Sequence, residues 1–483
     1  MGQAFSSSTE TLHVHSHEID HIPDICWNQY TFSDGIGKIS LSLAENVADK
    51  CSCDTTPSAF QIRYGGYKGV VAVDPKSPHK LSLRPSMMKY RSDDTNLDVL
   101  SWSKFRPCFL NRQIISLLST LGVKDRNFEK LQEKTVEDLD RVLTDQAKAL
   151  DILQIMSAGE HHNALISMLS CGYFPNSEPY LMMMLNAFRA SKLIELRNKT
   201  RMFVPKGRCL MGCLDESRTL NYGEVFVQVS HAPGNKQHHD PGLSALGKSG
   251  HNHKKSIVKG LVIVAKNPCL HPGDIRTLVA VDTPKLHHMV DCVVFPQCGR
   301  RPHPDECSGS DLDGDLFFIS WDESLIPPQQ DPPMDYMAPP QIELDHPVTI
   351  EEIQEYFANY MLNDTMGIIA NRHTAFCDRE ESMARSNPCL ELAKLFSTAV
   401  DFPKTGVPAQ IPSNLNLEEY PDFMDKEDKP MYQSDRVIGK LYQGSKERST
   451  KDYAHKFIPM EVAKKSYDKE WRWKGFGIIF PKH

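Results

Sequence analysis

The chain has 483 residues, more than one core normally serves, so two to four domains are expected. With 40% hydrophobic and 24% charged residues it is an ordinary globular sequence, which excludes wholesale disorder. The net charge of −7 speaks against a general nucleic-acid coat, and no apolar run reaches the roughly 18 to 20 residues of a membrane span.

That total hides an asymmetry. From Arg201 to Arg301 there are 14 Lys and Arg against 7 Asp and Glu, whereas from Trp321 to the end there are 19 against 27. A basic middle beside an acidic tail suits a local polyanion surface, although two solvated faces satisfy the charges equally well. Thirteen cysteines without a repeating framework fit a reduced, intracellular protein, in nucleus or cytoplasm.

The opening MGQAFSSS fits a short acylation pattern, and residues 1–25 with HVHSHEIDH are expected to be a polar surface lead-in. From residue 26 to 110, β-branched runs such as GVVAVDP, broken by Gly, Pro, Asp and Ser, predict strands. From 111 to 200 the spacing turns helical, in NRQIISLLSTLG, VEDLDRVLTDQAKALDILQIM and YLMMMLNAFRASKLIELRN. The Met182–Met184 run is expected to pack in a core.

Strands return over 201–325, in EVFVQVS, IVKGLVIVAKNP, RTLVAVD, DCVVFPQ and DLFFISWD. The Gly/His/Lys-rich GNKQHHDPGLSALGKSGHNHKK between the first two is expected to be a mobile loop. Residues 326–348 form a Pro-rich linker or strapped segment, and helices follow over 349–483, the first opened by a Thr349–Glu352 capping box.

The stretch CSGSDLDGDLFFISWD concentrates the chemistry. Asp311, Asp313 and Asp315 crowd three like charges into five positions. On a straight strand, at about 3.3 Å per residue, the outer two would stand about 13 Å apart. Gly314 can take a positive φ and curl the chain, so that all three carboxylates meet at one point. Such a cluster needs cations, and Mg²⁺ favours a few carboxylates together with substrate phosphates. A pair of such ions supports nucleotidyl transfer. An EF-hand is a poor fit, because Leu316 and Asp322 occupy its Gly and Glu positions and the flanks read as strands. The third Asp stands against the Asp-x-Asp pair of nucleotide-sugar transferases. A solvated acidic turn would not be sealed by Phe317 and Phe318. DGIGKIS lacks the spacing of a phosphate-binding Walker loop.

SDLDGDLFFISWD and its preface VVFPQCGRRPHPDECSG resemble the catalytic loop of the cell-encoded RNA-dependent RNA polymerases of eukaryotic RNA silencing, plant type. FSDGIGKIS, FQIRYGGYKGVVAVDP, LSLRPSMMKY, RCLMGCLDESRTLNYGEVFVQ, VKGLVIVAKNPCLHPGDIR, ELAKLFSTAVDFPKTGVP and DKPMYQSDRVIGKLY resemble further family motifs, in family order and over nearly all of the chain. The resemblance implies an α+β fold: two double-psi β-barrels joined by helices, with a helical, head-like C-terminal part. It implies RNA-directed RNA synthesis from ribonucleoside triphosphates on an RNA template, with Mg²⁺ as cofactor, and a role in silencing and antiviral defence. A homodimer or silencing-pathway proteins would be the partners, with no membrane. Asp311, Asp313 and Asp315 would then hold the metal, and Lys68 would steady triphosphate charge. Lys38, Arg63 and Arg84 lie in similar motifs, and Lys206, Arg208, Lys266, Arg300 and Arg301 are candidates to grip nucleotide or RNA. His271 and His303 are expected to shape loops. Cys209, Cys213, Cys292, Cys298 and Cys307 lack paired metal-ligand spacing. MGQAFSSS itself resembles an interior family stretch, and family members extend on both sides of this sequence. The other reading is therefore a truncated, non-catalytic RNA-binding fragment.

Overall fold

The structure, a computed structural model, describes residues 8–156, 160–231, 244–245, 255–337, 340, 344–362 and 365–453. Most of MGQAFSSS and most of the Gly/His/Lys-rich stretch lie outside these residues. Two compact units emerge, one of residues 1–132 with 200–440 and one of 133–199 with 441–483.

Strands of the first unit form two large sheets. The first holds β1 (Thr9–His13), β2 (Ile19–His21), β3 (Ile36–Ser40), β4 (Ala59–Tyr64), β5 (Tyr67–Asp74), β6 (Leu81–Leu83) and β7 (Asn96–Trp102), in the spatial order β1-β7-β4-β5-β3-β6-β2. Most neighbours are antiparallel, but β3 runs parallel to β5 and β2 to β6.

The second sheet adds β8 (Pro107–Leu110), β9 (Met202–Leu214), β10 (Glu224–Ser230), β11 (Gly260–Lys266), β12 (Arg276–Ala280), β13 (Cys292–Phe295) and β14 (Leu316–Ser320). Its hydrogen bonds run β9-β14-β11-β12-β10-β13 and return to β9, closing a six-stranded barrel. Closure removes exposed edges and leaves an interior that side chains fill. Leu210, Val227, Val264, Val293, Phe295, Phe317 and Ile319 fill it.

The run GVVAV is apolar throughout because β5 serves two cores. Val70 and Ala72 join the barrel's cluster, while Val71 and Val73 join the cluster of the first sheet. Alternate residues of a strand point to opposite faces, and here neither face meets water. Each such valine contributes about 1.5–3 kcal/mol of burial.

Helices of the same unit complete the architecture. Asn111 caps Arg112–Thr120, its side chain accepting from the Ile114 N–H at 2.9 Å. The expected capping box opens Ile350–Leu362, with Thr349 N to Glu352 Oε2 at 2.8 Å and Glu352 N to Thr349 Oγ1 at 3.3 Å. Asn387–Thr405 ends on Gly406 at φ +76°. Among the described residues, no helix is long and apolar enough to cross a membrane.

The second unit contains helices Gln146–Met156, Glu160–Ser170 and Pro179–Lys199. Asp145, which accepts from the Lys148 N–H, separates the first from the preceding helix. One expectation is corrected here. Met183 is 47% exposed, and Leu181, Leu185 and Phe188 supply the buried side of that helix instead. At 3.6 residues per turn, three consecutive positions cannot share one face.

Candidate active site

The aspartate loop is anchored downstream by β14, whose Phe317 and Ile319 are fully buried. Upstream, Ser308 and Gly309 both take positive φ, +55° and +62°. Leu312 points into the core, 2% exposed, and its N–H donates to the Asp34 carbonyl at 2.9 Å. That tether turns Asp311 and Asp313 the other way. Gly314, at φ +129°, completes the curl, and the backbone N–H of Asp313 donates to Asp311 Oδ1 at 3.0 Å. One oxygen from each of Asp311, Asp313 and Asp315 lies within 4.8 Å of the other two. An oxygen-only set of three carboxylates fits a hard divalent cation, and no other such cluster of His, Cys, Asp and Glu occurs among the described residues.

Two lysines offset part of the repulsion. Lys68 Nζ reaches Asp313 Oδ2 at 2.6 Å from β5, and Lys266 Nζ reaches Asp315 Oδ2 at 2.5 Å from the end of β11. Burial, then the charges of Asp313 and Asp315, push Asp311 up to about 7. Burial also works to raise Asp313, but the hydrogen bond and charge of Lys68 outweigh it and hold that carboxyl below its usual range. Neighbouring environments thus drive two carboxylates apart, a pattern typical of reactive sites.

Triad, Lys68 and Lys266 line one cavity of about 270 Å³. Its facing wall is the Asn387–Thr405 helix, through Ala393, Phe396, Ser397, Val400, Asp401 and Lys404. These residues had no place among the expected site residues. DFPKTG was legible as a motif, but which helix face meets the loop is decided by packing. Asp34 and Gln61 were likewise missed. Asp34 holds Leu312, and Gln61 Nε2 donates to the Asp313 carbonyl at 3.2 Å.

The other candidates separate. Arg63 sits opposite Lys68 in the β4–β5 register. Lys38 lies away from the cavity and pairs with Asp74 at 3.3 Å and Glu216 at 3.5 Å. Arg84 is 3% exposed, with donors on the carbonyls of Pro23 and Ile36 and on Glu216, so it is a strut within the protein and not a surface open to RNA. Arg301 is spent in the same way, on the carbonyls of Met334 and Asp305 and on the Asp305 carboxylate. Arg300 donates to the Tyr222 hydroxyl at 2.9 Å. Arg208 lies over the rings of Phe105 and Trp321, and the Lys206 carbonyl accepts from Ser320 Oγ at 3.0 Å. His303 is buried, bridging Glu306 Oε2 at 2.7 Å and the Gly223 N–H at 2.9 Å. His271 Nδ1 accepts from the Gly273 N–H, beside the cavity.

Comparison with known proteins bears on this arrangement. A family model described as RNA dependent RNA polymerase matches residues 1–444. RNA-dependent RNA polymerase 1 of Arabidopsis thaliana is 58% identical over 99% of this chain, and a probable RNA-dependent RNA polymerase 1 of Oryza sativa subsp. japonica is 57% identical over 97%. The chain spans 42% of the first protein and 61% of the second. RNA-dependent RNA polymerase 1 of Schizosaccharomyces pombe is 32% identical over 92% of the chain. Among solved structures, RNA dependent RNA polymerase QDE-1 from Thielavia terrestris shares the fold, with a TM-score of 0.70 at 18% identity over 96% of this chain and 56% of that one. A closed barrel presenting three convergent aspartates, in a sequence matched over 444 residues by the family model, establishes that the chain belongs to the RNA-dependent RNA polymerase family.

Proposed function

We propose that this chain carries the catalytic centre of an RNA-directed RNA polymerase that copies single-stranded RNA from ribonucleoside triphosphates. The observation that carries the reading is the convergence of Asp311, Asp313 and Asp315 within 4.8 Å, in one cavity with Lys68 and Lys266. Chemically, the 3′-oxygen of the growing strand attacks the α-phosphorus of the incoming nucleotide, the bond to the bridging oxygen breaks, and pyrophosphate leaves. Bound Mg²⁺, as a pair of ions, would supply activation of the attacking hydroxyl and neutralisation of the leaving phosphate. Asp311, Asp313 and Asp315 would hold it. Lys68 and Lys266 orient Asp313 and Asp315 and bring positive charge to the phosphate side of the cavity. Lys404, on the facing helix, adds a third cation. A role in RNA silencing rests on the family resemblance.

The test is incorporation of labelled nucleotides on a single-stranded RNA template, with Asp313→Ala alongside. Wild-type synthesis abolished by Asp313→Ala or by chelation is expected; equal incorporation by both proteins ends the proposal. RNA retained on a filter in a salt-dependent manner, with no synthesis, would favour the non-catalytic RNA-binding reading instead.

A further inference from the structure

The proline-rich segment of residues 327–337 is a strap drawn across the base of the aspartate loop. It passes over two glycines. A Cβ on Gly273 would lie 2.1 Å from the Pro332 carbonyl oxygen, and one on Gly309 would lie 2.7 Å from Tyr336 Cβ. Arginines fix the strap at intervals. Arg276 donates to the Asp331 carbonyl at 3.0 Å, Arg385 grips the Asp331 carboxylate with two bonds of 2.8 Å, and Arg301 donates to the Met334 carbonyl at 2.9 Å.

Tyr336 is where the strap meets the site. Its hydroxyl donates to Oδ1 of the buried Asp274, whose Oδ2 accepts the N–H groups of Leu270 and His271 at 3.0 Å. Arg301 lies between the rings of Tyr30 and Tyr336, at 5.6 and 5.7 Å. The Asp305 carbonyl collects both ends of this arrangement, accepting Gly309 N at 3.1 Å and Arg301 Nη2 at 3.2 Å. Two residues past Gly309 stands Asp311, and Tyr336 lines the same cavity.

We propose that Tyr336 is a positioning residue for the metal loop: seated on Asp274 and backed by Arg301, it clamps Gly309 so that the three carboxylates stay at ion-holding separation. The proposal rests on the reading of the triad as a cation site. Partners one layer behind metal ligands commonly set affinity by about 10- to 100-fold, because they fix ligand orientation.

The test is Mn²⁺ binding to the full chain without RNA or nucleotide, read from the free-ion paramagnetic resonance signal. Tyr336→Phe keeps the ring and deletes the bond to Asp274, and Arg301→Met deletes the backing without emptying the tyrosine's place. Each is expected to weaken Mn²⁺ about 10-fold, with KM for nucleotides at saturating metal unchanged. Affinities within twofold of wild type in both variants, or a raised nucleotide KM with unaltered Mn²⁺ binding, overturn the clamp. Asp313→Asn separates the two layers of the argument. It should abolish Mn²⁺ binding, and if it does not, the triad reading falls and the clamp with it. If Asp313→Asn abolishes binding while Tyr336→Phe and Arg301→Met do not weaken it, only the clamp falls.

Discussion

Lys68 Nζ lies 2.6 Å from Asp313 Oδ2, although 245 positions separate the two residues, one on the first sheet and the other in the loop that leads into β14 of the second. The contact does two things at once. It ties the first sheet to the aspartate loop, and it keeps Asp313 ionised where burial would favour the neutral acid.

Lys68→Met is therefore expected to lower nucleotide incorporation by about 100- to 1,000-fold, the usual cost of losing one preorganised donor. Without the lysine the Asp313 carboxyl titrates higher, so the metal requirement at pH 6 should rise more than at pH 8. Single-nucleotide incorporation across both pH values checks this, with circular dichroism reporting the fold.

Gly314→Ala tests the curl. At φ +129° an alanine is strained, by about 1–3 kcal/mol. Its Cβ would also fall 1.9 Å from Gln61 Nε2. Loss of synthesis is expected. A Gln61→Ala background should not restore it, because the side chain can move and the backbone conformation cannot; recovery in the double variant would make the effect purely steric.

Lys404→Ala probes the facing helix. The side chain is 72% exposed and touches none of the three aspartates, so the catalytic step should change little. KM for nucleoside triphosphates is expected to rise about 3- to 10-fold with kcat within a factor of about two, the signature of lost ground-state binding. A fall in kcat with unchanged KM would place the residue differently.

His373 sets a pH limit on stability. It is 3% exposed, and burial lowers it from 6.5 to about 4. The folded protein therefore keeps the ring neutral while the unfolded chain takes up a proton below about pH 6.5. Stability from this residue is present above that pH and is lost as pH falls toward 4, by about 3 kcal/mol in all. Denaturant titrations at pH 7 and pH 4.5 should show a smaller difference in His373→Leu than in wild type.

Local features were readable in the sequence and long-range ones were not. The bend at Gly314 follows from three charges and one glycine inside five residues, and the strands from β-branched runs between turn residues. Lys266 stood among the candidates only as a cation. Its pairing with Asp315 depends on β11 lying beside β14, which no local pattern encodes. Arg84 and Lys38 stood among the candidates through family motifs, and that both close on Glu216 is decided by distant segments meeting, which no local pattern encodes. Lys68 stood out through family resemblance, not through spacing.

Gly35 gives the site a further property. A Cβ there would sit 2.6 Å from Asp313 Cβ, so at this point backbone meets the aspartate loop directly. At this one contact Gly35 has no side chain to yield, whereas Gln61 and Lys68 meet the loop through side chains. On the proposed reading, a shift of Gly35 toward the loop would move Asp313, and a misplacement of about 1 Å can cost about 100-fold in rate. A bulkier residue at position 35 is accordingly expected to displace Asp313 and lower synthesis without touching a reacting group.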